Sequence, residues 1–208
     1  MMPVEFISII IIRLKGVFQK NMSAIQKVVS AIYGVMVDLE DDEDYYDPET
    51  QTYDEAKILE LYQEWLYPED GCKIEEEEFS VDPAHVGSKC IDSFIREFGS
   101  TSMMPLIREL VSSGLQKQSN WKQKNASLMI LALLGEYIEN IYDSEELVYA
   151  AVALFPHSHP KVRYAAYHAI GQMSTDLQPA FQAHYNTKLL ESMISGLEDK
   201  FPRLQAHM

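Results

Sequence analysis

Carboxylates form the densest group of chemically active side chains in the sequence: Asp38, Glu40, Asp41, Asp42, Glu43 and Asp44. Such a cluster attracts the Lys and Arg side chains of a partner and speeds its association, and the attraction weakens as salt is added. A solvated loop without a partner is the alternative, because most runs of charge are solvated. A calcium loop of the EF-hand type needs a Gly at its sixth position and a Glu at its twelfth, and the segment that starts at Asp41 has neither.

The other reactive residue types do not form a catalytic or metal-binding pattern. His157 and His159 are close in sequence, but no Cys or carboxylate stands beside them to complete a zinc site. The chain contains no Gly-rich phosphate loop, Gly-x-Ser-x-Gly elbow or His-Glu-x-x-His motif. Cys72 and Cys90 are too few for a disulfide framework. We therefore expect a binding protein from a reducing compartment, without enzymatic activity, cofactor or metal.

The excess negative charge is confined to one segment of the chain. The formal net charge is −15, and residues 38–82 hold 19 acids and two bases, whereas all other residues together have a net charge of +2. An acidic chain is a poor ligand for nucleic acid or for an anionic membrane surface. The apolar run 6–12 is too short to span a bilayer and follows Glu5 rather than a basic region, so we expect no membrane insertion or signal peptide.

Three similar stretches recur at regular spacing near the end of the chain. Residues 121–128 align with residues 160–167 and with the start of 202–208, at offsets of 39 and 42. A period of about 40 residues is typical of HEAT and armadillo repeats, in which each unit has two helices. The sequence therefore predicts an all-α fold, a HEAT-repeat solenoid of stacked antiparallel hairpins in a right-handed superhelix.

Apolar spacing and chain breaks define the predicted helices. Residues 121–141 are apolar over too wide a stripe for a helix that lies on a single surface, as expected of a helix covered by a hairpin partner and a neighbouring repeat. Residues 9–12 are β-branched and could form a strand, but no second β-rich segment could pair with it. We expect helices at 4–18, 22–38, 53–66, 84–98, 102–117, 121–141, 144–155, 160–175 and 186–197, and the start of another at 202.

These helices group into four regions. Residues 1–38 form a HEAT hairpin, and residues 39–82 form an acidic loop in which the amphipathic stretch 53–66 can dock on the solenoid. The further hairpins within 83–201 are 84–117, 121–155 and 160–197, and residues 202–208 are the truncated start of the next repeat.

Five strings stand in a characteristic order along the chain: Met36-Val-Asp-Leu-Glu-Asp-Asp-Glu-Asp-Tyr45, Asn120-Trp-Lys, Pro160-Lys-Val-Arg-Tyr-Ala-Ala, Ala169-Ile-Gly-Gln-Met173 and Arg203-Leu-Gln-Ala-His207. In this order they resemble the importin-beta-like karyopherins, and most closely their importin beta-3 branch. The resemblance implies a middle fragment of a nuclear transport receptor that shuttles between cytoplasm and nucleus through the nuclear pore. It also implies three kinds of partner, namely cargo with Lys/Arg-rich signals, the GTPase Ran and the Phe-Gly repeats of nucleoporins. A generic HEAT scaffold with an inert acidic loop is the alternative.

Within this resemblance, the acidic loop and the second helix of each hairpin are the expected binding surfaces. The acids on those helices are Glu145, Glu146, Glu191, Glu198 and Asp199, and a further candidate is Trp121 at a repeat start, which could stack on a Lys or Arg side chain from the inner face. Three of these candidates have a structural alternative: Glu145 and Glu146 lie in a first helical turn, where the helix dipole favours acids, and Trp121 can pack between hairpins. Lys124 and Arg163 occupy equivalent repeat positions and are predicted to bridge carboxylates or helix carbonyls between neighbouring repeats.

Overall fold

The protein is a stack of α-helices, and the computed structural model describes residues 2–38, 46–47, 52–67 and 83–207. The α-helices of these ranges are α1 (Met2–Arg13), α2 (Lys15–Phe18), α3 (Met22–Val37), α4 (Glu55–Leu66), α5 (Pro83–Phe98), α6 (Ser100–Gly114), α7 (Trp121–Leu134), α8 (Glu145–Val152), α9 (Pro160–Asp176), α10 (Ala180–Gly196) and α11 (Pro202–His207). Two 3₁₀ turns follow α7, at Gly135–Tyr137 and Ile141–Ser144. Strands β1 (Tyr46–Asp47) and β2 (Thr52–Tyr53) pair antiparallel, with Tyr46 opposite Tyr53.

One continuous apolar core runs through the stack, and α7 lies at its centre. This helix packs against α5, α6 and α9, and eleven of its fourteen residues are buried. The wide apolar stripe predicted for α7 is therefore confirmed, because helices cover it on more than one side. The core extends from Ile11 in α1 to Leu189 in α10.

Most of the helix ends lie where sequence signals place them. The side chain of Asn120 accepts from the backbone amide of Gln123 at 2.9 Å, and the Gln123 side chain accepts from the amide of Asn120 at 3.0 Å, which forms a capping box before α7. Pro160 opens α9 in the first turn, where its missing N–H costs nothing. Gly99 separates α5 from α6 with a φ of +91°, a conformation that side chains disfavour.

Four predicted boundaries differ from the structure. The helix expected over 4–18 is interrupted at Leu14, and the helix expected to start at 186 already begins at Ala180. The helix expected over 121–141 ends at Leu134, where the backbone of Gly135 lies against Asp176 of α9; a Cβ there would stand 2.7 Å from Asp176 Oδ2. The helix expected over 144–155 spans Glu145–Val152, and Ser144 lies in the preceding 3₁₀ turn, where its hydroxyl donates to the carbonyl of Ile141.

Helix α4 docks on the solenoid, as its amphipathic sequence predicts. Ile58 and Leu66 are buried, and they form a small cluster with Tyr164, Phe201 and Leu204 that is distinct from the main core. Leu59, a further apolar residue of the same stretch, is 39% exposed. Over the described ranges, every helix is too short or too polar to cross a membrane.

Candidate functional site

The predicted acidic loop is described only at its first residue. Asp38 is exposed and follows the last turn of α3, where its backbone amide donates to the carbonyl of Gly34 at 2.8 Å. The other predicted members of the cluster, Glu40, Asp41, Asp42, Glu43 and Asp44, lie outside the described residues.

Four of the predicted glutamates lie on or beside the second helices of two hairpins. Glu145 and Glu146 form the first turn of α8, Glu191 lies in α10, and Glu198 follows α10. Glu145 Oε1 lies 3.9 Å from His184 Nε2 on α10. Because His184 and Glu191 are seven residues apart, they lie on the same side of α10. Glu145 therefore meets α10 at His184, and Glu191 lies on the same side of α10 about two turns further along.

The fifth predicted acid on the helical face, Asp199, is held by Arg163 from the neighbouring repeat. Arg163 Nε donates to Asp199 Oδ2 at 2.7 Å, and Arg163 Nη2 donates to Oδ1 at 3.2 Å. Arg163 Nη1 also donates to the carbonyls of His157 and Ser158, at 2.9 and 3.1 Å. The side chains of Arg163 and Asp199 are only 10% and 8% exposed. This pairing accounts for Asp199 without any partner protein.

Lys124, at the equivalent position of the preceding repeat, makes the same kind of contact. Its ammonium donates to the carbonyl of Lys117 at 3.3 Å and to the carbonyl of Ser119. Desolvation by burial lowers the pKa of Lys124. Arg163 therefore bridges two neighbouring repeats through Asp199, as predicted, whereas the bonds of Lys124 go to carbonyls of the segment that leads into its own helix.

Trp121 is buried between repeats. Its indole is 4% exposed and stacks on the imidazole of His159, with ring centroids 3.9 Å apart and an interplanar angle of 8°. This burial favours the structural alternative for Trp121. His159 also accepts at Nδ1 from the amide of Lys161, at 3.2 Å, and thereby caps α9.

The histidine pair proves to be a structural element that sequence reasoning had assessed only as a metal site. Burial, and then the positive charge of Lys124, lowers the pKa of His157 to about 4. Burial, and then the charge of Lys161, lowers the pKa of His159 well below its usual value. The position of His159 immediately before Pro160 was the available signal, because a residue before an N1 proline is the N-cap. Among the described residues, no three metal-ligating side chains are grouped to hold an ion.

A groove of about 580 Å³ opens between the ends of α8, α9 and α10. It is lined by the apolar side chains of Val152, Phe155 and Tyr167, and by the Arg163–Asp199 pair. Because this pair is bonded internally, it supports packing between repeats at the groove.

Known proteins share this fold. No protein-family model matches the sequence. Importin subunit beta-3 of Saccharomyces cerevisiae is 24% identical over 151 residues, which cover 69% of this chain and 13% of that protein. Kap121p bound to RanGTP superimposes with a TM-score of 0.67 at 20% identity, over 98% of this chain and 20% of that one. Kap121p bound to Nup53p gives a TM-score of 0.69 at 21% identity, over 91% and 17%.

The fold is a karyopherin HEAT-repeat solenoid. The predicted fold class and the predicted resemblance to the importin beta-3 branch are confirmed. The chain spans about an eighth of the length of the curated relative and a fifth or less of the two Kap121p chains.

Proposed function

We propose that the chain is part of a nuclear transport receptor and that it binds Lys/Arg-rich cargo segments and Ran in its GTP form. The observation that carries the proposal is the match over 98% of the chain to a karyopherin whose structure was solved with RanGTP. The net charge of −15 supports it, because an acidic surface attracts basic segments.

The binding surface has two proposed parts. One is the acidic segment formed by Asp38 and residues 40–44, and the other is the surface between α8 and α10. The glutamates of the second part are Glu145, Glu146, Glu191 and Glu198. Carboxylates that remain exposed to water steer an oppositely charged partner and fix its register, and they contribute more to association rate and specificity than to affinity. Cargo and Ran would compete for these carboxylates.

The proposed mechanism is binding without chemistry. In a solenoid each repeat contacts only its neighbours, so the stack bends at low cost, and a ligand that favours one curvature shifts the affinity for another ligand. The parent receptor would bind nucleoporin Phe-Gly repeats as well, and it would shuttle between cytoplasm and nucleus. The predicted hairpins, 1–38 and those within 83–201, are the proposed repeat units, and residues 39–82 are the proposed insertion.

A salt-dependent titration tests the proposal. A labelled Lys-rich nuclear-localisation peptide is titrated into the wild type at about 50 and 150 mM salt, and then into a loop variant with Asp41→Asn, Asp42→Asn, Glu43→Gln and Asp44→Asn. A second variant, Glu191→Gln/Glu198→Gln, removes charge from the helical surface. The matched control is Glu97→Gln/Glu139→Gln, which removes two exposed or half-exposed acids outside both parts. Ran loaded with GTP or with GDP is titrated in parallel.

Binding that is weaker in the loop variant or the Glu191→Gln/Glu198→Gln variant, but not in the control, supports the proposal. A preference for the GTP form of Ran supports it as well. Equal, weak binding by all four proteins with no nucleotide preference would instead favour the scaffold alternative, in which the acidic loop is inert.

A further inference from the structure

The start of α9 and the residues around α11 form a basic and aromatic surface, which we call the α9–α11 surface. Its floor consists of Tyr164, Phe201 and Leu204, which are at most 5% exposed when α4 covers them. Its cations are Lys161, Lys200 and Arg203. Two carboxylates, Glu198 and Asp199, follow α10, and Asp199 is bonded to Arg163 and so does not oppose these cations.

Helix α4 binds this surface through its aromatic side chains. Lys161 Nζ lies 4.6 Å from the ring centre of Tyr62, and the guanidinium carbon of Arg203 lies 4.9 Å from that of Trp65. Trp65 also meets Tyr164 edge to face, with ring centroids 5.2 Å apart. A cation over an aromatic face is attracted by the ring quadrupole, and the attraction is greater where water is excluded.

The acidic first turn of α4 and its apolar side chains also match the α9–α11 surface. Lys200 Nζ lies 2.6 Å from Glu55 Oε2 in the first turn of α4, and Ile58 and Leu66 insert into the apolar floor. The occupant is therefore an acidic amphipathic helix with aromatic residues one turn apart. A surface with an apolar floor and several surrounding cations recognises that chemistry and disfavours a basic segment.

The apolar contacts of α4 lie mostly outside the main core, although Tyr62 meets His159 edge to face, with ring centroids 5.9 Å apart. Ile58 and Leu66 belong to the small cluster beneath α4, whereas the main core lies among the stacked repeats. A twelve-residue helix is marginal by itself in water, so α4 depends on docking for its structure. Elements with few buried apolar contacts open at a much lower free energy than the whole protein.

We propose that the α9–α11 surface is a docking site for acidic amphipathic helices of partner proteins, and that α4 occupies it in cis until such a helix displaces it. This site selects acidic segments, whereas the transport proposal concerns basic ones. The two can therefore fail independently.

A competition experiment on the full chain tests the proposal. The probe is a fluorescein-labelled peptide of residues 52–67, titrated into the wild type and into a release variant, Ile58→Ala/Trp65→Ala. We expect the release variant to bind the probe at least tenfold more tightly, because in the wild type the tethered α4 competes at an effective concentration on the millimolar scale. The matched control, Leu59→Ala/Leu61→Ala, trims two exposed leucines of α4 and should bind the probe like the wild type.

The same experiment tests which chemistry the surface selects. A probe with Glu55→Gln, Glu60→Gln and Glu64→Gln should bind the release variant severalfold more weakly than the original probe does. The original probe should likewise bind severalfold more weakly to a release variant that also carries Lys161→Ala/Lys200→Ala. Equal affinity of the wild type and the release variant for the probe would overturn the proposal. Failure of the release variant to bind, when its circular dichroism shows a folded helical protein, would overturn it as well.

A second measurement needs only the wild type, so it does not depend on folding of the variant. An excess of the peptide carrying Trp65→Phe is added, and emission is recorded from the tryptophans of the protein. Displacement should shift the Trp65 emission to the red and increase its quenching by iodide, while the buried Trp121 remains protected. Unchanged emission at saturating peptide would show that α4 is not displaceable.

Discussion

Replacing Arg163 by Met tests whether its ion pair with Asp199 joins successive repeats. The substitution keeps most of the side-chain volume and removes every hydrogen bond of the guanidinium. Asp199 would then retain a contact from the amide of Phe201, whose nitrogen lies 3.1 Å from Oδ1. Removing one member of a buried ion pair costs about 3–5 kcal/mol, because the remaining charge is left uncompensated.

The remaining contacts refine this magnitude. The two carbonyl contacts of Arg163 add about 0.5–1.5 kcal/mol each if water does not replace them.

A second substitution, Asp199→Asn, keeps the shape of the Asp199 side chain and removes its charge. The double variant Arg163→Met/Asp199→Asn leaves no buried charge at the junction, so it should be more stable than Arg163→Met alone. We expect a coupling energy of about 2–3 kcal/mol, within the range for residues in direct contact.

Urea unfolding followed by circular dichroism gives the total free energy, and hydrogen exchange locates the loss. The Arg163–Asp199 ion pair joins the start of α9 to the segment just before α11. Loss of the ion pair should therefore reduce the hydrogen-exchange protection of backbone amides mainly in α11. The control is Arg96→Met, which removes an exposed arginine from a surface ion pair with Asp92 and should leave the unfolding midpoint nearly unchanged.

Two results would refute this reasoning. One is a cost below about 1 kcal/mol for Arg163→Met, which is the range of a surface pair. The other is strict additivity of Arg163→Met and Asp199→Asn, since independent residues show no coupling. Either result would mean that the pair does not clamp the repeats and that Asp199 remains available to a partner.

Two further predictions concern stability. Gly114→Ala should destabilise the protein by about 1–3 kcal/mol, because the added Cβ would overlap Ser127 Oγ and the hydroxyl of Tyr33. The control is Gly34→Ala, at an exposed helical glycine whose added Cβ would meet no atom within 4 Å. It should stabilise the protein by up to about 1 kcal/mol in the same urea assay. The pKa of His157 is lowered to about 4, so the folded state favours the neutral imidazole. The contribution of this neutral form to the free energy of unfolding is complete above pH 6.5 and is lost as the pH falls toward 4. Because solvent reaches part of this ring, we expect a loss of about 1–2 kcal/mol between pH 7 and 5 that His157→Asn removes; the same pH dependence in both proteins would contradict the assignment.

Local sequence signals predicted the parts of the fold that local physics determines. The predicted helix starts at 121 and 160 and the wide apolar stripe of α7 correctly marked helices, and the offset of 39 residues placed Lys124 and Arg163 at equivalent repeat positions. These features act within a few residues or recur with the repeat, so a sequence displays them directly.

The features that were missed depend on tertiary contacts. The end of α7 at Leu134 was not predicted: the chain continues there as a 3₁₀ turn from Gly135, whose backbone lies against Asp176, forty-one residues further along the chain. The stack of Trp121 on His159 likewise needs two repeats in register. In the candidate site, the sequence identified the charge of Asp199 but not its partner. An exposed and a bonded carboxylate are identical in sequence, and only the arrangement of repeats distinguishes them.

The docking of α4 also has a consequence for synthesis of the chain. Most helices of the stack pack against close neighbours in sequence, whereas α4 ends 136 residues before α11 begins. At about 5–20 residues per second, a ribosome needs about 7–27 s to make that interval. During this time only part of the floor beneath Ile58, Trp65 and Leu66 is available, because Tyr164 is made first and Phe201 and Leu204 do not yet exist. The nascent chain therefore carries an uncovered apolar segment of the kind that chaperones bind, and residues 201–204 must emerge before that segment is protected.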